Sequence, residues 1–226
     1  MRLDCHLHTN RYSPCSSLDP ATACSCALER GLDSLVITEH SIQWSPSEIR
    51  ELQQQFPKLQ LYSGLEVSLA EGCDVVVITP QKGLILPFGT SLEELLQAVS
   101  SSRSESFLFL AHAFRWTDEL SNGLEPVLEH MDGLEMNSTN ILDLKPPRRA
   151  GRFPARLQGL YESLQKAWQL VPLFNSDAHA SQTVGSLAND LDGFQPPADE
   201  SGLAELLKQH SPQEHQNLKL LKRLVG

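Results

Sequence analysis

Near its N-terminus the chain reads Leu3-Asp4-Cys5-His6-Leu7-His8-Thr9. On an extended segment the i, i+2 spacing places His6 and His8 on one face, roughly 7 Å apart along the chain. Two imidazoles so placed can converge on one metal ion. Leu3, Cys5 and Leu7 are then expected on the opposite face, towards covering helices. The same spacing recurs in Asp177 and His179, just after the run Val171-Pro172-Leu173-Phe174. Three more polar residues follow apolar runs: His40 after Leu35-Val36-Ile37-Thr38-Glu39, Glu66 after Leu61-Tyr62-Ser63-Gly64-Leu65, and His112 after Phe107-Leu108-Phe109-Leu110-Ala111.

Each candidate ligand thus stands at the C-terminal end of a different apolar run, and in α/β barrels that end is the catalytic face. The runs predict strands near 2–8, 34–39, 60–67, 74–79, 106–112, 133–138 and 171–176. Helical patterns fall near 20–30, 46–55, 91–101, 124–130, 154–169, 201–209 and 212–224. Asp19, Pro20 and Gly31 frame the first helix as N-cap, first turn and stop. Thr90 or Ser91 can cap the third, with Glu93 and Glu94 in its first turn. The alternation implies an α/β chain with parallel strands and crossover helices. With no repeat and no linker-length loop, residues 1–226 are expected to form one domain.

The 226 residues carry 18 basic and 28 acidic side chains, a net charge of -10. That balance argues against a long nucleic acid as partner, because phosphate backbones require clustered Lys and Arg. A metal-loaded pocket can still attract phosphate inside an acidic envelope. The longest apolar runs are far below the roughly 18 residues needed to span a membrane. The first residues lack the apolar core of a secretion signal, so a cytoplasmic protein is expected. Five cysteines, an odd number, make a disulfide framework unexpected; reduced core or surface thiols fit better.

A lone histidine at a strand end is more often a hydrogen-bonded core or surface residue than a ligand, and His130, His210 and His215 are read that way. Chance does not account for His6 with His8, Asp177 with His179, and single candidates at three further strand ends. His and carboxylate donors together suit Zn, Mn or Fe, often as two or more ions.

Asp4-Cys5-His6-Leu7-His8-Thr9, Thr38-Glu39-His40, Gly64-Leu65-Glu66-Val67-Ser68, Ala111-His112-Ala113-Phe114-Arg115 and Ser176-Asp177-Ala178-His179 occur in the order of the motifs of the PHP (polymerase and histidinol phosphatase) family. Gly133-Leu134-Glu135-Met136-Asn137 also resembles a family region. The resemblance runs from residue 2 to about 194. It implies a distorted (βα)7 TIM-like barrel with two or three divalent metal ions at its C-terminal mouth. His6, His8 and Asp177 would hold the first ion, Glu66 would bridge to a second held by His112, and His40 and His179 would hold a third. The reaction implied is hydrolysis of a phosphate ester by a metal-activated water held between His6, His8, Glu66 and Asp177.

The sequence departs from the family pattern in three places. Residues 10–16, Asn-Arg-Tyr-Ser-Pro-Cys-Ser, supply no carboxylate or imidazole after the His-x-His. The histidine usual after the bridging glutamate is missing, with Asp74 favoured over Cys73 as its substitute. His112 is followed by Ala113 where the family has proline. Arg115, with Arg148 and Arg149 in a basic loop, is expected to hold phosphate, since Arg forms bidentate bonds with phosphate oxygens. Glu39 and Glu135 are expected to accept hydrogen bonds from ligand rings. The small phosphorylated substrate expected would be a phosphomonoester, a nucleotide phosphate or an oligonucleotide end. Two alternatives are a degenerate scaffold domain with a structural metal site and an amidohydrolase acting on a C–N bond. The latter usually bridges its metals with a modified lysine, and no lysine stands at a suitable strand end here.

Overall fold

The computed structural model describes residues 1–114, 124–139, 141 and 155–225. Its strands are β1 (Arg2–Asp4), β2 (Ser34–His40), β3 (Gln60–Ser68), β4 (Asp74–Ile78), β5 (Phe107–Ala111), β6 (Gly133–Asn137), β7 (Val171–Phe174), β8 (Leu187–Asp190) and β9 (Gln213–Gln216). Its helices are α1 (Pro20–Glu29), α2 (Pro46–Gln55), α3 (Leu92–Ala98), α4 (Leu124–Leu128), α5 (Ala155–Trp168), α6 (Glu200–Gln209) and α7 (Leu218–Val225). The N-termini of the first three are fixed by side chains. Asp19 accepts from the Thr22 amide, while Ser45 with Glu48 and Ser91 with Glu94 form capping boxes.

All nine strands form one mixed sheet in the order β7-β6-β5-β4-β3-β2-β1-β8-β9. The sheet curls until it nearly closes. Beyond β1, Leu7 bridges Ala178, with hydrogen bonds of 2.9 Å from the His8 amide to the Ala178 carbonyl and from the Asp177 amide to the His6 carbonyl. The seven expected strands are present, but they are not seven parallel βα units. β4 runs antiparallel to both β3 and β5. The short return through residues 69–73 has no room for a crossover helix. The apolar run Val75–Ile78 is wholly buried, so its composition reads the same in either direction. β8 and β9 are additions, antiparallel to β1 and to each other. The helix expected over 212–224 begins only at Leu218, because Gln213–Gln216 pairs with β8.

Three apolar clusters hold the layers together. Leu7, Leu35, Ile37 and Leu61 pack outward on residues of α1 and α2. Val67, Val75, Leu108, Leu110 and Leu134 pack on α3, α4 and α5. Val36, Tyr62, Val76, Phe107, Phe109 and Leu173 meet with α6 in a third cluster, and residues from so many strands can meet only inside a curved sheet. Leu3 and Cys5 belong to this interior cluster, not to the helix-facing side where Leu7 lies. The expected alternation therefore breaks between Cys5 and His6, where regular pairing of β1 has ended.

Gly64 permits the close approach of β3 and β4. A Cβ there would lie 2.7 Å from the Val77 carbonyl oxygen and 3.2 Å from Val36 Cγ1. Gly64→Ala should cost about 1–3 kcal/mol by overpacking. Thermal unfolding should then begin roughly 3–10 °C lower, and an unchanged midpoint would refute this reading of the contact.

Candidate metal centre

The ends of β1, β2, β3, β5, β6 and β7 gather at one mouth of the barrel, as expected of parallel strands. The antiparallel β4 brings its first residue, Asp74, to the same mouth, paired with Ser68 and Ala111. His6 and His8 follow β1, with their Nε2 atoms 3.1 Å apart. Asp177 Oδ1 lies 3.6 Å from the first and 3.4 Å from the second. Glu66 on β3 sits between several imidazoles. Its Oε1 is 3.0 Å from His112 Nε2, and its Oε2 is 2.9 Å from His40 Nδ1 and 3.3 Å from His8 Nε2.

Three groups have donor atoms all within 4.8 Å of one another: His6, His8 and Asp177; His6, Glu66 and His112; and His8, His40 and His179. All seven expected ligands are among them. The donor chemistry fits divalent ions. Imidazole nitrogens and carboxylate oxygens converge without an intervening apolar group, and one carboxylate turns its two oxygens to different imidazoles. The backbone at two of these residues is unusual. His112 has φ 27° and Asp177 has φ 46°, left-handed values that non-glycine residues adopt at a cost. Hydrogen bonds hold both in place, from the His112 amide to Glu135 Oε2 (3.0 Å) and from the Asp177 amide to the His6 carbonyl.

Behind the donors lies a layer of buried acceptors. His6 Nδ1 contacts Glu135 Oε1 at 3.0 Å, and that oxygen also accepts from Asn175 Nδ2 at 2.9 Å. This leaves His6 Nε2 to face the mouth. His179 Nδ1 donates to the Asp177 carbonyl at 3.0 Å, with the same consequence. Glu39, fully buried, accepts from the Thr9 amide, the Thr9 hydroxyl, Trp44 Nε1 and the Ser13 hydroxyl. Ser13 is the link to the ligands. Its Oγ lies 2.5 Å from Glu39, 3.4 Å from His8 Nδ1, and accepts from the His40 amide at 3.1 Å. Glu39 therefore reaches His8 through Ser13, a relay that sequence reasoning missed because a hydroxyl five residues beyond His8 has no spacing signature. Ser13→Ala should weaken metal binding about tenfold, the scale of lost outer contacts, in competition with a chelating dye. Unaltered affinity would remove Ser13 from this role.

Without metal the buried imidazoles and carboxylates shift one another's pKa values. Burial opposes charge on His6, but Asp177, Glu135 and Glu66 outweigh it and raise its pKa well above the usual histidine value. His8 is raised likewise, against burial, by Asp177 and Glu66. His112 is pushed up to about 9, with Glu66 overcoming burial. Glu66 and Asp177 are held below the carboxylate range, their burial outweighed by these imidazoles. His179, desolvated and beside His8, falls to about 4 and is neutral at pH 7. Asp4, below the cluster, is raised to about 6 by burial while accepting from the amides of Ser176 and His6.

Asp74 lies behind His112, Oδ2 to Nδ1 3.6 Å, and its other oxygen accepts from the Ser68 hydroxyl. It belongs to none of the three groups among the described residues. Cys73 packs against the outer apolar cluster, and burial raises its thiol to about 12. Arg115, Arg148 and Arg149 lie outside the described residues. Among the described residues His130, His210 and His215 join no ligand group, and His210 rests against Phe194. The five cysteines are all free.

No family model and no curated protein sequence matches this chain. Solved structures do. PsfC from Pseudomonas syringae PB-5123 superposes with a TM-score of 0.67 at 20% identity, over 99% of this chain and 94% of that one. A two-domain protein from Bacteroides vulgatus ATCC 8482, containing a predicted PHP-like metal-dependent phosphoesterase, gives 0.66 at 14%, over 100% of this chain and 68% of that one. An amidohydrolase from Chromobacterium violaceum with bound sulfate gives 0.61 at 13%, over 96% and 98%. Endonuclease Q bound to a 27-mer duplex gives 0.51 at 15%, over 92% and 56%. At these identities the likeness is one of fold. The chain has the fold of PHP-like proteins, which the motifs implied, and amidohydrolases share its outline. Among the described residues no helix is long and apolar enough to cross a membrane.

Proposed function

We propose that this protein is a metal-dependent phosphoesterase that hydrolyses a small phosphate ester at the barrel mouth. The observation that carries the proposal is Glu66. Its Oε1 faces His112 and His6 while its Oε2 faces His40 and His8. A carboxylate with imidazoles at both oxygens would help to hold more than one ion, together with His6, His8, His112 and Asp177. His40 and His179 would complete a third position. Divalent ions, Zn, Mn or Fe, would polarise a phosphoryl oxygen there and lower the pKa of water towards about 7.

The chain's own residues prepare the site. Glu135 and Asp177 fix the ring orientations of His6 and His179, so that their Nε2 lone pairs point into the mouth. Glu39 acts similarly on His8 through Ser13, and the Asp74 carboxylate lies 3.6 Å behind the His112 ring. Burial of Glu66, His6, His8, His112 and Asp177 keeps bulk water from competing for these donors. Arg115, Arg148 and Arg149 would bind phosphate oxygens. With a net charge of -10 there is no steering field for a long polyanion, so substrate recognition would be local.

Elemental analysis of protein purified without chelator is expected to find at least two divalent ions per chain. The loaded protein is then tested on phosphomonoesters, nucleotides with 3′ or 5′ phosphate, and short single strands. Chelator-sensitive phosphate release is expected from the small esters. Release from none, with metals verified, would favour a scaffold role. The amidohydrolase neighbour motivates a parallel panel of amides; turnover there in place of the esters would favour C–N chemistry.

A further inference from the structure

Four large apolar side chains stand exposed among the described residues: Tyr12, Ile85, Phe88 and Leu218. The segments that carry the first three join the chain just beyond His8, His40 and Glu66. Residues 84–89 form a strap anchored at three points. Ile85 pairs with Ile42, the Leu86 amide donates to the Ser41 carbonyl at 2.9 Å, and the Gly89 amide donates to the Ser68 carbonyl at 2.9 Å. The strap thus runs from the residue after His40 to two residues beyond Glu66, across the ends of β2 and β3. Leu84 and Leu86 are buried in the outer core and pin it down. Ile85 and Phe88 remain 66% and 86% exposed.

Tyr12 approaches from the loop after His8. It immediately precedes Ser13, which touches both His8 and the His40 amide. Its phenol is fixed by a 2.6 Å hydrogen bond to Glu48, and its ring packs edge-on against Trp44. The centre is most accessible on this side. His40 is 40% exposed, against 4% for His112 and 0% for His6 and His8.

We propose that Tyr12, Ile85 and Phe88 form an apolar rim that receives the organic part of the substrate, and that the substrate is a phosphate ester bearing a flat apolar group such as an aromatic ring. This rests on the phosphoesterase reading. Exposed apolar residues on a strap held by backbone bonds and buried leucines lose little conformational freedom when covered, so covering them returns most of the hydrophobic free energy. A ring that covers roughly 55 Å² of apolar surface gains about tenfold in affinity.

The test compares 2-phenylethyl phosphate with ethyl phosphate, whose leaving alcohols are of similar acidity, by kcat/KM. Binding of 2-phenylethylphosphonate and ethylphosphonate to the metal-loaded protein is measured by calorimetry. The phenyl compounds should be favoured about tenfold in both assays. Ile85→Ser combined with Phe88→Ala should cut the ratio to about twofold, whereas Leu218→Ala, on α7, should leave it at about tenfold. A wild-type ratio near one, or an unchanged ratio in the double variant, overturns the rim. Failure to hydrolyse either ester or any other member of the phosphate-ester panel, with the phosphonate ratio intact, would overturn the phosphoesterase reading and leave the ligand class of the rim standing. If neither phosphonate binds, both fall.

Discussion

His6→Ala, His8→Ala and Asp177→Asn are each expected to reduce kcat/KM by at least about a thousandfold, with the fold retained. Each side chain serves a group whose donor atoms lie within 4.8 Å of one another, and His6 and His8 each serve two groups. Loss of one donor therefore weakens more than one ion position. The transition state of phosphoryl transfer concentrates charge on oxygens that the ions would neutralise, and several kcal/mol of that stabilisation disappear with them. Asp177→Asn keeps the shape and the amide bond to the His6 carbonyl but removes the charge. Packing around these positions comes from three apolar clusters to which none of the three residues belongs, so far-UV circular dichroism should remain native. Metal content is the second readout and should fall in each variant. A variant with native spectra, reduced metal and near wild-type turnover would show that these ions are not part of the reaction.

The second large effect is an alkaline loss of stability that is expected only when the metals are removed. In the metal-free protein His112 has its pKa raised from 6.5 to about 9, and His6 and His8 are also raised. A raised histidine contributes stability in full below its unfolded pKa, and that contribution is lost as pH rises through the folded value. Glu66 and Asp177 are depressed, so their contribution is present above their unfolded pKa and is lost on acidification. Chelated protein should therefore be most stable at about pH 5–7 and weaken towards pH 9.5 as buried carboxylates lose their protonated partners. For His112 alone the loss is about 3 kcal/mol, an order-of-magnitude figure that corresponds to roughly 6–12 °C in the unfolding midpoint. Metal-loaded protein should not show this alkaline loss, since the ions supply the positive charge. Thermal melts between pH 6 and 9.5, with and without chelator, make the comparison. Parallel curves would mean that the imidazoles are not charged in the metal-free state.

Both expectations begin with features that were legible in the chain itself. His6 and His8, Asp177 and His179, and the single residues His40, Glu66 and His112 all stand at or just after apolar runs, a relation given by the order of residues before any tertiary contact forms. The buried acceptors Glu39 and Glu135 were also visible, because each stands within a strand that carries or adjoins a ligand. Helix starts at Asp19 and Ser91 follow from local hydrogen bonds available to any chain with those residues.

Direction, closure and linkage between segments were decided only in three dimensions. β4 is buried on both faces, so its apolar run carries no record of which way it points, and the short return through residues 69–73 makes it antiparallel. That reversal places Asp74 behind His112, where the linear order had offered it as a ligand. Gln213–Gln216 is polar throughout and becomes a strand only by pairing with β8. Ser13 has no periodic signature, and its position between Glu39, His8 and His40 depends on a loop folding back over β2. Which side chains offer imidazole or carboxylate donors, and which apolar run each of them follows, is written in the order of residues along the chain. Which of them come within reach of one another, and what holds them there, follows from sheet curvature, strand direction and loop closure, which are set by contacts between residues far apart in the chain.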